Sequence, residues 1–143
     1  MGKVEIKIGD YTTLYQDVSR VRSAVFCEEQ QISEDIEKDD KDKTSTHVVL
    51  FVDSEPVSTL RVFEENGEYL FGRVATLSSY RGKGYGRDII IALHNWAKRH
   101  RLAKLSCHAQ ETAMDFYLKL GYVVEGEPYY EAGIKHYTMS YLI

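Results

Sequence analysis

Apolar side chains recur along this chain with two periods, and the switches between them mark its elements. Val4, Ile6 and Ile8 alternate with Glu5 and Lys7, the signature of a short strand. From Tyr11 the step lengthens. Tyr11, Leu14, Val18, Val21 and Val25 recur every three or four residues, which predicts an amphipathic helix running to about Glu29. "SEDIEKDDKDKTS" (33–45) has six acids, three lysines and one apolar residue, and reads as a solvated loop with room for one helical turn. "HVVLFVD" and "VSTLRVFE" are β-branched strands joined by the turn stretch "DSEP", and "ENGE" supplies an Asn-Gly hairpin before "YLFGRVATL". Ile89, Leu93, Trp96 and Ala97 then share the face of a helix over 85–100. "KLSCHA" alternates again, with Leu105, Cys107 and Ala109 on one side. "TAMDFYLKL" clusters Ala113, Phe116, Tyr117 and Leu120 as a helix, and Gly121 stops it as a left-handed cap. "YVVEG" and "KHYTMSYLI" close the chain as strands.

The order is β-α-β-β-β-α-β-α-β-β. It predicts one α/β (α+β) domain over 1–143 with a mixed, mostly antiparallel sheet of six to seven strands flanked by helices. The crossover helix makes its two flanking strands parallel. The length of 143 residues suits a single domain, and 43% apolar with 28% charged residues is the profile of a folded chain. A net charge of −4 points away from nucleic acid and from anionic membranes. No apolar run approaches the ~20 residues of a membrane span. The start lacks a signal-peptide core, and two cysteines at 27 and 107 fit neither a zinc site nor a disulfide framework. The expectation is a cytoplasmic protein with reduced thiols and no metal.

The candidate chemistry lies in "RGKGYGR" (81–87), between a strand and a helix. A helix N-terminus offers unpaired amides and the positive end of the macrodipole, and glycines let those amides converge on an anion. Arg81, Lys83 and Arg87 add charge. A plain turn with solvated basic residues is the alternative. The Walker pattern is missing. The dinucleotide fingerprint fails because Arg87 or Ile89 stands at its third glycine.

The loop resembles the acetyl-coenzyme A loop of the GNAT superfamily of N-acetyltransferases, [QR]-x-x-G-x-[GA], met here by Arg81, Gly84 and Gly86. "FYLKLGY" (116–122) resembles the family's F-Y-x-x-x-G-F/Y segment, and the order of elements is also the family's. "VRSAVFCEEQ" (21–30), "HAQ" (108–110) and "EAGIKHYTM" (131–139) resemble the ElaA-like branch, with Lys135 at a position usually held by proline. The resemblance implies that the amides of Gly82, Lys83, Gly84, Tyr85, Gly86 and Arg87 hold the pyrophosphate of acetyl-coenzyme A. It implies that a bulged strand pairs with the pantetheine arm through Val74, Ala75 and Thr76, and that Tyr117 is the general acid toward the leaving thiolate. The acceptor it implies is a primary amine of a small molecule or peptide.

A base is harder to place. The strand glutamate of some family members is absent from "YLFGRVAT", which leaves Glu29, His108 or a water wire. His108 also reads as an ordinary surface or core histidine, and His136 as a residue closing the sheet near the acceptor pocket. Cys107 falls on the apolar phase of its strand and reads as inert, and acids near Cys27 raise its thiol pKa. Direct transfer is therefore expected over an acyl-cysteine route. The acidic 33–45 stretch would suit a cationic acceptor, whereas Arg22, Arg61 and Arg73 would suit a carboxylate on it. The reading from another class is a non-catalytic acyl-coenzyme A sensor or interaction module, and a homodimer is left open.

Overall fold

The computed structural model describes residues 2–143. Strand β1 (Val4–Gly9) leads into helix α1 (Tyr11–Arg22), which is capped where Asp10 accepts from the Thr13 amide at 2.9 Å. The helical path continues to Glu29 as the periodicity predicts, but over Ser23–Glu29 it widens into a π-helix. Two single-turn helices, α2 (Glu34–Glu37) and α3 (Lys41–Thr44), precede strands β2 (Thr46–Val52), β3 (Glu55–Glu65) and β4 (Glu68–Thr76). The two connecting turns, Asp53-Ser54 and Asn66-Gly67, have positive φ at both residues. That handedness matches the twist of the strands they join. Helix α4 (Tyr85–Arg99), strand β5 (Lys104–Gln110), helix α5 (Met114–Lys119), β6 (Val123–Glu131) and β7 (Ile134–Leu142) complete the chain.

The seven strands form a sheet in the order β1-β2-β3-β4-β5-β7-β6. Every pairing is antiparallel except β4 with β5, the pair joined through α4. Successive residues of β2 point to opposite faces. Val48 and Leu50 pack with Ile89, Ile90, Leu93 and Ala97 of α4, while Val49 and Phe51 pack with Leu14 and Val18 of α1. The sheet is thus covered on both faces. Among the described residues no helix is long and apolar enough to cross a membrane.

Two irregularities in β4 shape its surroundings. Thr59 of β3 faces Ala75, but Arg61 faces Gly72, so Arg73 and Val74 together oppose one residue of β3. This bulge lies at Arg73–Val74, one step earlier than the stretch from Val74 that the resemblance implies. Arg73 itself has φ +50°. Toward β5, the register holds only at Leu70↔Ser106.

The acidic stretch is not a solvated loop. Glu37 and Asp42 are 3% and 2% exposed and meet Arg22 and Arg61, which are 2% and 4% exposed. Arg22 donates from Nε to Glu37 Oε2 at 2.6 Å and from Nη1 to Asp42 Oδ1 at 2.7 Å. Arg61 donates from Nη1 to Asp39 Oδ1 at 2.6 Å and to Asp42 Oδ1 at 2.9 Å. Arg73 joins from β4, donating to the Glu37 carbonyl at 3.1 Å. Three guanidinium groups balance three carboxylates, which is the condition for taking such charges out of water. Buried His47 donates from Nε2 to the Asp42 carbonyl at 2.9 Å. Composition alone missed this because each acid's partner lies on a distant element.

Candidate active site

The glycine loop is left-handed at two positions and open to solvent there. Gly82 and Gly84 have φ +77° and +86°, and a Cβ on either would meet nothing within 4 Å. Gly84 caps α4, and the first helical bond runs from the Asp88 amide to the Gly84 carbonyl at 3.0 Å. The amides of Tyr85, Gly86 and Arg87 come before that bond and have no acceptor in the helix. They give a fifteen-residue helix an end suited to an anion. A Cβ on Gly86 would lie 3.8 Å from the Phe116 ring, in ordinary contact.

Arg81 has a different post from the one the loop pattern implies. Its Nε donates to the Thr76 carbonyl at 2.9 Å, and its two terminal nitrogens bind the Glu29 carboxylate at 2.7 Å each. Arg81 thus straps the loop to the end of β4 and to the π-helix. Side-chain charge toward a bound anion is left to Lys83 and Arg87. The same strap engages Glu29, whose carboxyl the Arg81 hydrogen bonds hold below its ordinary pKa. That is the wrong direction for a base that must take a proton near neutral pH, and the geometry makes Glu29 a tie rather than a base.

Where β4 and β5 stop pairing, a cleft of about 390 Å³ opens between them. Gly72, Arg73 and Val74 border it from β4, and Cys107 to Gln110 from β5. Tyr117 and Ala113 close it on one side, and Phe26, Gln30 and His136 on the other. The stretches 21–30, 108–110 and 131–139, far apart in sequence, all contribute to this wall. Phe26, Gln30, Phe71 and Gln110 were not singled out as site residues, although those quoted stretches contain Phe26, Gln30 and Gln110. Of the three arginines considered for an acceptor carboxylate, only Arg73 reaches the cleft, because Arg22 and Arg61 are consumed by the buried network.

Tyr117 is 7% exposed and set in an aromatic cluster, with ring centroids 6.0 Å from Phe71 and 5.5 Å from Tyr122. Burial raises its pKa, so it stays protonated and able to donate. His108 is exposed, with Nδ1 3.4 Å from the Thr138 hydroxyl and its ring edge-on to Tyr129. His136 stacks on Tyr129 at 5.6 Å, and its Nδ1 donates to the Ile134 carbonyl. Both histidines stand at the open side of the cleft. Cys107 is buried, and desolvation pushes its thiol up to about 12. The Cys27 thiol is also raised, by desolvation first and then by Glu37 and Glu34. Neither is a thiolate nucleophile at neutral pH. Among the described residues no group of histidines, cysteines and carboxylates is arranged to hold a metal ion.

Known proteins share this arrangement. The acetyltransferase (GNAT) domain profile matches residues 13–143. YjcF of Bacillus subtilis, named as an N-acetyltransferase, is 32% identical over 125 residues, covering 87% of this chain and 89% of the relative. A Lactobacillus plantarum structure described as an N-acetyltransferase superposes with TM-score 0.91 at 33% identity, over 97% of both chains. Escherichia coli ElaA has the same fold, with TM-score 0.84 at 23% identity over 96% of this chain and 99% of that one. An aminoglycoside 6'-N-acetyltransferase solved with coenzyme A shares the fold at 13% identity and TM-score 0.78, over 96% of each chain. With a splayed parallel pair, a bare loop at a helix start and this profile over nearly its whole length, the chain belongs to the GNAT family of acetyltransferases.

Proposed function

We propose that this N-acetyltransferase uses acetyl-coenzyme A and passes the acetyl group directly to a primary amine of a small molecule or peptide. The observation that carries the reading is the cleft where β4 and β5 part, bordered by Val74 and lined by Tyr117, with the glycine loop beside it. A Cβ on Gly86 of the loop would lie 3.9 Å from Thr76 Oγ1 at the end of β4 and 3.8 Å from Phe116, the neighbour of Tyr117. A phosphate-bearing amide chain has a place for each of its parts there. The helix end accepts the pyrophosphate, and the β4 edge at Val74 and Ala75 pairs with the amides of the arm as a strand would. The carbonyl of Thr76 already accepts from Arg81, so its contribution is through its amide and side chain.

Acetyl-coenzyme A supplies an activated acyl group, and this chain's residues govern the protons. The acceptor amine gives up a proton on the open side of the cleft, where His108, His136 and solvent meet. The nitrogen–carbon bond forms as the carbon–sulfur bond breaks. Tyr117, protonated and enclosed, then donates to the sulfur. At the Arg73–Val74 bulge, where the register with β3 slips, a backbone amide polarises the carbonyl. The high pKa values of Cys27 and Cys107 favour direct transfer over an acyl-cysteine.

The test is coenzyme A thiol release from acetyl-coenzyme A with separate panels of polyamines, amino sugars, amino acids and peptides. Mass spectrometry identifies the acetylated product. Amine-dependent release with an N-acetyl product is expected. Tight coenzyme A binding without transfer to any amine would return the chain to the sensor reading.

A further inference from the structure

The cleft wall carries a charge pattern that bears on the acceptor. Its polar side chains are Gln30, Arg73, His108, Gln110, Tyr117 and His136, and no carboxylate is among them. The nearby acids are already paired. Glu29 is held by Arg81, Glu37 by Arg22 and Arg73, and Glu111 by the Tyr137 hydroxyl at 3.2 Å and Lys135 at 3.5 Å. An acceptor with a second ammonium group would find no counter-charge in this wall.

Arg73 is different from its neighbours in the network. Its side chain is 30% exposed, against 2% for Arg22 and 5% for Arg61. Nε and Nη2 both donate to the Glu37 carbonyl at 3.1 Å, which fixes the plane of the guanidinium. Nε also lies 3.4 Å from the Glu37 carboxylate and Nη2 3.5 Å from that of Asp39, so the charge is shared with the network, while Nη1 makes no hydrogen bond among the described contacts. The backbone adds a second observation. At φ +50° Arg73 occupies a conformation that glycine adopts without strain and that side chains rarely do. An arginine at that bulge fits a position whose side chain is used.

Resting on the acetyl-transfer reading above, we infer that Arg73 is the specificity-determining residue of the acceptor site and that the acceptor is an amine carrying a carboxylate. The carboxylate binds Nη1 of Arg73, with the side-chain amides of Gln30 and Gln110 in the same wall as further donors. Its amine points toward the β4 bulge, where the acyl carbon is delivered. A guanidinium already locked in plane by two backbone bonds loses little freedom on binding, so its selectivity is large for one contact.

The experiment pairs ω-amino acids of different lengths with their methyl amides, which keep the amine and remove the charge, and adds the diamines of equal length. Rates are compared at equal concentrations of unprotonated amine. For the best chain length, kcat/KM for the acid should exceed that for its amide roughly 10–100-fold, the range of a hydrogen bond to a charged group. The difference should lie mainly in KM. Arg73→Gln should bring the acid-to-amide ratio to within about threefold of unity. The ratio is internal to each variant, so a general loss of rate does not imitate the effect. If Arg73→Gln does not fold, the wild-type ratio decides alone. Amides or diamines turned over as well as the acids would overturn the inference and leave acetyl transfer standing. No turnover of any amine would instead remove the acetyl-transfer reading, and this one with it.

Discussion

Asp42→Asn is the most informative single change to the scaffold. The substitution keeps shape and removes one charge from a site that is 2% exposed. Asp42 accepts from Arg22 Nη1 at 2.7 Å, Arg22 Nη2 at 3.2 Å and Arg61 Nη1 at 2.9 Å. The asparagine leaves three guanidinium groups facing two carboxylates, and its NH₂ points a donor at a donor. Removing one partner of a buried pair typically costs about 3–5 kcal/mol. A domain of this size is stable by about 5–15 kcal/mol, so the variant should remain folded but weakened. At about 2–4 °C per kcal/mol, Tm should fall by roughly 6–20 °C. Urea unfolding followed by far-UV circular dichroism is the assay, with an unchanged m-value confirming that stability alone has moved. Glu34→Gln, on the exposed side of the same stretch, is the control and should change stability by less than about 1 kcal/mol. An Asp42→Asn variant within about 1 kcal/mol of wild type would refute the account of 33–45 as an ion-paired clamp.

Other outcomes follow from features already described. The Arg61 hydrogen bonds hold Asp39 at about 2; burial opposes ionisation of Asp42, but Arg22 and Arg61 outweigh it and lower its pKa. Their stabilisation is therefore complete above the ordinary value of 3.8 and lost as pH falls from there toward about 2, so a Tm profile that stays level through pH 3 would contradict the pairing. Tyr117→Phe keeps the ring in its cluster and should lower kcat by ~10²–10⁴-fold with coenzyme A affinity unchanged, and less so for an acyl donor with a more acidic thiol. Wild-type turnover, with chemistry limiting, would exclude the hydroxyl. Gly84→Val should abolish most coenzyme A binding by calorimetry, whereas Lys83→Ala should cost little; equal losses would mean that charge, not the amide cradle, holds the ligand. Replacing Cys27 and Cys107 together by Ser should leave turnover largely intact, and an acetylated cysteine in the intact mass would show the route is covalent.

The elements were legible because each has a clean period: Val4-Ile6-Ile8 for a strand, Ile89-Leu93-Trp96 for a helix. Asn66-Gly67 and Gly121 announced their turns through backbone chemistry that few residues share. The loop stood out for the same reason, since three glycines in six residues free the backbone for an approach that side chains would block. What stayed hidden depends on pairing at a distance. Glu37, Asp39 and Asp42 look solvated until Arg22, Arg61 and Arg73 are brought to them from three elements. Arg81 looks like a phosphate ligand until Glu29 arrives from the π-helix, 52 residues away. Arg73 carries no local sign of its positive φ, because the bulge is set by a mismatch of register with β3.

The single registered pair between β4 and β5 also bears on how the molecule holds together. Along the hydrogen-bonding direction the sheet is two half-sheets, β1 to β4 and β5 to β7, coupled through Leu70↔Ser106 and the shared core beneath. An amide ligand bonded along β4 fills part of the missing seam. Substrate would then act as a mechanical rung as well as a reactant. At a hundredfold excess over Kd, mass action alone stabilises the fold by about 2.7 kcal/mol. Amide hydrogen exchange should slow along both margins of the seam, in Gly72 to Thr76 and in Cys107 to Gln110, while β1 and β6 at the outer edges keep their rates.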